Sequence, residues 1–247
     1  MNNLISVIMP YYKKKEFVET AINSVLEQSN QHFEIIIIYD DENLKDFKYI
    51  NEIQKLDDRI RLIKNDVNIG AGFSRNKGIF HSNGDYIAFL DCDDYWHKDK
   101  LSKQLNFMIE KNCLFSFTSY DIVNYQNKII RSNKAPAIIT FNDLLKDCKI
   151  GLSTVMLKKE LIKNDCKFPK LKTKEDYTLW LKISKKINLY GLDEPLMKWR
   201  KVKNSLSSDT FQKIFDGYRV YHKYLNLGLF KSFYYLMILS INYLKKN

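Results

Sequence analysis

The chain has 247 residues, 45% hydrophobic and 14% aromatic, which supplies a sizeable packed core and excludes global disorder. With 40 Lys or Arg against 29 Asp or Glu, the formal net charge is +11, which points to an anionic partner (nucleic acid, membrane surface or phosphorylated substrate) or to a plain bias toward Lys. Cys92, Cys113, Cys148 and Cys166 show no CxxC or zinc-type spacing, no run of about 18 apolar residues occurs, and MNNLISVIMPYY lacks the features of a secretory leader; the expectation is a reducing, cytoplasmic setting without a spanning helix.

Taken in order, LISVIMP (4–10) is an apolar, β-rich run ended by Pro10, and residues 16–28 place Phe17, Ala21, Ile22, Val25 and Leu26 on one helical face. FEIIIIYD (33–40) carries a continuous apolar run, the pattern of a strand buried on both faces. A helix over 43–56, a strand over 59–65, a helix over 72–81 and a strand over 85–91 follow. This βαβαβαβ order predicts an α/β fold with a doubly wound, Rossmann-like, mostly parallel sheet, whose ligands sit beyond the carboxyl ends of the strands. Asp40, Asp41, Asp91 and Asp93 all fall at such ends. Downstream come a helix over 97–111, a hairpin of 115–123 and 128–131 around Asn127, a capped helix start at Thr140, a strand over 152–157, a helix over 172–186 capped by Thr173, and a helical tail from about 209.

The stretch GDYIAFLDCDDYW (84–96) crowds three carboxylates at one strand end, where their mutual repulsion calls for a positive charge. On a strand, Asp91 and Asp93 share one side. Two carboxylates so placed suit a hard cation, Mg2+ or Mn2+, that also takes phosphate and water oxygens and neutralises a diphosphate leaving group. The competing reading is an ordinary Asp-rich turn. Among the tryptophans, Trp180 reads as core, whereas Trp96, directly after the carboxylates, is the candidate for stacking on a sugar. The histidines are dispersed and form no metal set, and Gly70 with Gly72 begins no phosphate-loop pattern.

The string NIGAGFSRNKGIFHSNGDYIAFLDCDDYW (68–96) resembles the core of the inverting family 2 glycosyltransferases, which have the GT-A fold. The resemblance extends through SVIMPYY (6–12), EIIIIYDD (34–41), KEDYTLWLKI (174–183) and WRKVKNSLS (199–207), in family order over about residues 4–207. It implies one domain over 1–207, with a nucleotide-binding half (1–96) and an acceptor half (97–207), followed by the helical tail 208–247. It also implies roles: Pro10, Tyr11 and Tyr12 along the base pocket, Asp40 or Asp41 on the base with Arg75 over it, and Asp91 and Asp93 on the ribose, metal and pyrophosphate. Asp176 of the Glu175-Asp176 pair matches the general base that deprotonates the acceptor hydroxyl. On spacing alone, Thr173-x-x-Asp176 is equally a helix-capping pattern. The chain departs from the family where Asp40-Asp41 runs into Glu42-Asn43, and where Val202 stands at the position of a metal-ligating His. Arg200, Lys201 and Lys203 are candidates for fixed charge on the diphosphate, or for ordinary solvated surface.

The reaction so implied moves a sugar from a nucleotide-diphospho sugar, by family habit uridine-linked, to a hydroxyl of a glycan or lipid-linked glycan, as in cell-surface polysaccharide synthesis. Two other readings stand beside it. A metal-dependent nucleotidyltransferase would need a Gly-rich basic loop after the first strand, where Pro10-Tyr11-Tyr12 stands; a non-catalytic polyanion binder would need clustered basic residues, whereas Lys is spread along the chain, which also weighs against nucleic acid. The tail YRVYHKYLNLGLFKSFYYLMILSINYLKK (218–246) is aromatic, apolar and basic, a pattern for peripheral contact with the inner face of an anionic membrane, or for packing on the domain or on a second subunit.

Overall fold

A computed structural model describes residues 3–163, 166–201 and 209–245. The first half alternates strand and helix as its periodicity requires: β1 (Ile5–Tyr11), α1 (Lys15–Leu26), β2 (Phe33–Tyr39), α2 (Leu44–Gln54), β3 (Ile60–Lys64), α3 (Ala71–Phe80) and β4 (Tyr86–Phe89). The second half adds β5 (Tyr95–Trp96), α4 (Lys100–Glu110), β6 (Phe115–Val123), β7 (Ile129–Asn133), β8 (Ile138–Ile139), α5 (Phe141–Leu144), β9 (Met156–Lys158), α6 (Glu175–Ser184) and β10 (Leu189–Arg200). Two helices, α7 (Thr210–Arg219) and α8 (Leu229–Leu244), close the chain, joined by a π-helical turn over Val220–Tyr224.

One sheet runs through the molecule in the order β3-β2-β1-β4-β9-β6-β10-β5, with β7 added on β6 and β8 on β10. The β3-β2-β1-β4 half is parallel, β9 is antiparallel to both β4 and β6, and β6 pairs β10 in parallel. Because side chains alternate along a strand, β2 feeds both layers: Ile36 and Ile38 enter one core, and Ile35, Ile37 and Tyr39 the other. That explains the unbroken apolar run 35–39, since neither face sees water, while Glu34 before it is satisfied by Ser6 and Asn83.

One strand was not expected, and two sequence expectations change. The 12-residue β10 has little apolar periodicity, and Pro195 at its centre argues against a strand; the structure accommodates the proline between two register shifts on the β6 side. Residues Leu152–Thr154 form a 3-10 turn, so only the end of the expected strand pairs, as β9. Thr173 does not cap α6: Lys174 occupies the cap position in a left-handed conformation, φ 61°, with no side-chain cap. Thr173 instead donates its N–H and hydroxyl to Asp216 Oδ2 at 3.0 and 3.1 Å, which ties α7 to the start of α6. Thr140 does form a capping box with Asp143, but its helix is only four residues long.

Candidate active site

Strand β4 stops at Phe89, so Asp91 to Asp94 lie on a turn closed by Asp94 N–H to Asp91 C=O at 3.0 Å. Strand alternation therefore does not govern Asp91 and Asp93. Each carboxylate of the turn meets a different donor set. Asp91 accepts from Arg75 Nη2 at 2.7 Å. Asp93 pairs with Lys14 Nζ at 2.7 Å. Asp94 accepts from Ser153 Oγ at 2.6 Å and from the Arg200 N–H at 3.2 Å. Burial pushes the Asp94 carboxyl well above the usual carboxylate range, and Asp93 and Asp91 add to the push. The cations that the crowded charge calls for are thus partly supplied by the chain itself.

A cavity of about 300 Å³ opens beside this turn. Its walls bring Asp91 and Asp94 from the end of β4 together with Asp176 from the first turn of α6, and Tyr120, Ser153, Met197 and Trp199 also line it. Asp176 keeps one oxygen on its neighbour, accepting from Tyr177 N–H at 2.7 Å. Its pKa is raised: burial is the main cause, held in check by that N–H and by Arg75 and Lys174. The adjacent Glu175 points the other way, onto Arg75 Nη1 at 2.8 Å. Gly72 permits this contact, because a Cβ there would lie 3.2 Å from Glu175 Cγ and 3.3 Å from the Pro169 carbonyl.

Arg75 is accordingly a buried bridge between the acidic turn and the start of α6, with its guanidinium over the Phe168 ring. Burial pulls its pKa down, but Asp91 and Glu175 outweigh that and leave it raised. The role over a nucleotide base suggested by the SRN segment is not the one this geometry displays. Asp40 is also occupied: it accepts from Asn65 Nδ2 and the Ile69 and Gly70 N–H groups at 2.7–2.8 Å, shaping the loop into α3. Asp41 accepts from the Lys13 N–H at 3.0 Å and the Asn43 N–H at 3.3 Å.

Of the base-pocket candidates, Tyr11 is core: it is fully buried, stacks on Tyr39 and donates to Asp46 at 2.8 Å. Tyr12 is exposed, and the Pro10 carbonyl accepts from the Cys92 thiol at 3.4 Å. Trp96 has no face for a sugar: it is 4% exposed, donates to the Ser153 carbonyl and carries the Lys100 ammonium on its ring. Trp199 takes the cavity position instead. Arg200 is neither solvated surface nor at the cavity wall; its guanidinium sits over Phe17 and Tyr95, donates to Asn127 Oδ1 at 2.6 Å and backs the Asp93 carbonyl at 3.2 Å. Lys201 is exposed, and Val202 and Lys203 lie outside the described residues.

Asp94 and Ser153 are the residues that motif reading passes over. Asp94 stands in the same DCDD string and carries its own signal; Ser153 sits in LSTVML, where nothing marks it as polar lining.

Residues 6–169 match the Glycosyl transferase family 2 profile. TuaG of Bacillus subtilis, named for teichuronic acid biosynthesis, is 36% identical over 98% of this chain and 97% of its own length. The chain belongs to glycosyltransferase family 2. Another family member, the Escherichia coli UDP-Glc:alpha-D-GlcNAc-diphosphoundecaprenol beta-1,3-glucosyltransferase WfgD, is 35% identical over 96% of this chain and 93% of its own length. The fold matches S. aureus TarS (1–349), crystallised with UDP-GlcNAc, at TM-score 0.74 and 21% identity, covering 89% of this chain and 65% of that one. It also matches mannosyltransferase PcManGT from Pyrobaculum calidifontis in complex with GDP-Man and Mn2+, at TM-score 0.68 and 13% identity, over 91% and 64% of the two chains. The α/β architecture is therefore the GT-A fold expected from the sequence.

Proposed function

We propose that this family 2 glycosyltransferase moves a sugar, with inversion, from a UDP-linked donor to a hydroxyl of a glycan or lipid-linked glycan in cell-surface polysaccharide synthesis. The observation that carries the reading is the cavity lined by both Asp91, at the end of β4, and Asp176, at the start of α6. Asp176 takes the proton of the acceptor hydroxyl as that oxygen bonds to the anomeric carbon. The bond from the anomeric carbon to the diphosphate breaks on the opposite face, and its electron pair leaves with the nucleotide. The donor and acceptor classes draw support from the names of WfgD and TuaG and from the UDP-GlcNAc bound to TarS.

A divalent ion suits the acidic turn. Mg2+ and Mn2+ take hard oxygens, and one or two carboxylates suffice when phosphates and water fill the remaining positions. The described residues contain no cluster of three or more His, Cys, Asp or Glu able to hold an ion, so an ion here would need further oxygens from phosphate or water. Asp91 and Asp93 would hold it, and it would supply Lewis-acid neutralisation of the leaving group. Arg75 pairs with Asp91 and Lys14 with Asp93, which orients both carboxylates.

The test is transfer from UDP-Glc, UDP-GlcNAc and GDP-Man to a diphosphoundecaprenol-linked acceptor, with and without Mn2+. Asp176→Asn is expected to lose roughly 10²–10⁴ in kcat while UDP still raises Tm. Asp93→Ala is expected to lose the Mn2+-dependent part of that rise, which at about 100 times Kd amounts to about 2.7 kcal/mol. Full activity in Asp176→Asn would overturn the assignment of the base. Release of pyrophosphate from UTP with a sugar phosphate would favour nucleotidyl transfer instead.

A further inference from the structure

Helix α8 turns its apolar side outward. Leu229, Phe230, Phe233, Tyr234, Met237 and Ile241 recur at helical spacing and are all exposed, whereas Ser232 and Leu239 face the protein. Helix α7 continues the surface with exposed Phe211, Ile214 and Phe215 at the same spacing. Phe230 and Phe211 are 92% and 87% exposed, so they contribute little to the fold and face water at a cost. Exposed apolar side chains on two helices in contact mark a surface that something covers.

The charge around it selects the occupant. From Gly217 to Asn247 the sequence has no Asp or Glu and five Lys or Arg: Arg219, Lys223, Lys231, Lys245 and Lys246. Lys223, Lys231 and Lys245 are exposed. A self-associating copy would set these cations against their own kind, whereas an anionic bilayer takes both the aromatic side chains and the lysines. No helix among the described residues is long and apolar enough to cross a membrane. At 16 residues, α8 spans about 24 Å, short of the roughly 30 Å hydrocarbon core, so it would lie in the interface.

We infer that the outer face of α7 and α8 docks on an anionic lipid surface. Its consequence for catalysis rests on the function proposed above. Asp216 of α7 holds Thr173, three residues before Asp176, and Tyr221 shares a 2.9 Å hydrogen bond with Tyr177 of α6. The docked helices are thereby fixed to the helix that carries the candidate base, which sets the cavity at a constant position relative to the lipid. A lipid-linked acceptor would be met there without leaving the bilayer.

The experiment is flotation of the full chain with vesicles of 1:1 phosphatidylglycerol and phosphatidylcholine, or of phosphatidylcholine alone, with no substrate present. The chain is expected to float with the anionic vesicles, at least tenfold less with the neutral ones, and several-fold less in 0.5 M salt. The double variant Phe211→Ser/Phe230→Ser is expected to lose at least tenfold in bound fraction with Tm unchanged, and Lys223→Glu/Lys231→Glu to lose binding without losing UDP recognition. Equal flotation of the Phe variant, or none by the wild type, overturns the inference. So does a dimer in light scattering that the Phe variant dissolves while no vesicle binding is seen. Because no substrate is used, failure of flotation leaves the proposed reaction standing, and failure of transfer leaves the docking surface standing.

Discussion

Individual residues carry two separable electrostatic problems. Arg75 is buried with its Nε–H unpartnered among the described residues and depends on Asp91 and Glu175 for compensation. Arg75→Met strips a cation from both carboxylates. Breaking buried pairs costs roughly 3–5 kcal/mol, and the lower end applies because the Asp91 side chain is 36% exposed. Urea unfolding at pH 7 measures it; a loss below 1 kcal/mol would show that the bridge is not structural. Lys100 poses the opposite problem. It is fully buried against the Trp96 ring with Gln104 Oε1 at 2.8 Å, and burial lowers its pKa from 10.5 to about 7. Its unfolded form holds more protons between pH 7 and 10.5, so stability rises with pH in that window. Between pH 7 and 9 this amounts to at most about 2.7 kcal/mol. Lys100→Met is expected to flatten that slope in denaturant titrations at the two pH values, whatever it does to absolute stability by orphaning Gln104.

At the scale of elements, the site depends on how closely helices approach the sheet and one another. A Cβ on Gly78 of α3 would lie 2.5 Å from Ile8 Cγ2 of β1. Gly78→Ala is expected to cost about 1–3 kcal/mol through overpacking, read as a lower Tm. The α6–α7 junction is held by Asp216, which is fully buried, accepts from Thr173 and Gln212 and pairs Arg219 at 3.1 Å. Asp216→Ala is expected to lower kcat while leaving the donor KM nearly unchanged, because it loosens the element that carries Asp176 and leaves the turn at Asp91 alone. A raised donor KM at unchanged kcat in Asp216→Ala would argue against that coupling. The αL conformation of Lys174 belongs to the same junction: it lets the chain turn from Thr173, held on α7, directly into the first turn of α6.

For the molecule as a whole, the final helices are part of the core. Val220, Tyr221, Leu225 and Leu239 lie in the same buried cluster as Trp180, Phe89 and Ile38. A chain ending before residue 209 is expected to precipitate or to lose cooperative unfolding, since losing those contacts opens the apolar surface of that cluster to water. A soluble, cooperatively melting fragment that binds UDP would refute it. The sequence by itself determined the parallel half of the sheet, because apolar runs such as 35–39 and the helical spacing of 16–28 are local patterns. It also determined family membership, and marked Asp91 and Asp176 as candidates, because ordered motifs lie within short stretches. Only the tertiary structure decided that Tyr11 and Trp96 are core and Trp199 lines the cavity, since an aromatic beside a motif reads alike whether it faces inward or out. Tertiary structure alone also decided that Arg75 bridges to Glu175, 100 residues away, and that Thr173 binds Asp216 rather than capping its own helix. Such partners are fixed by packing across the fold, and no periodicity along the chain encodes them.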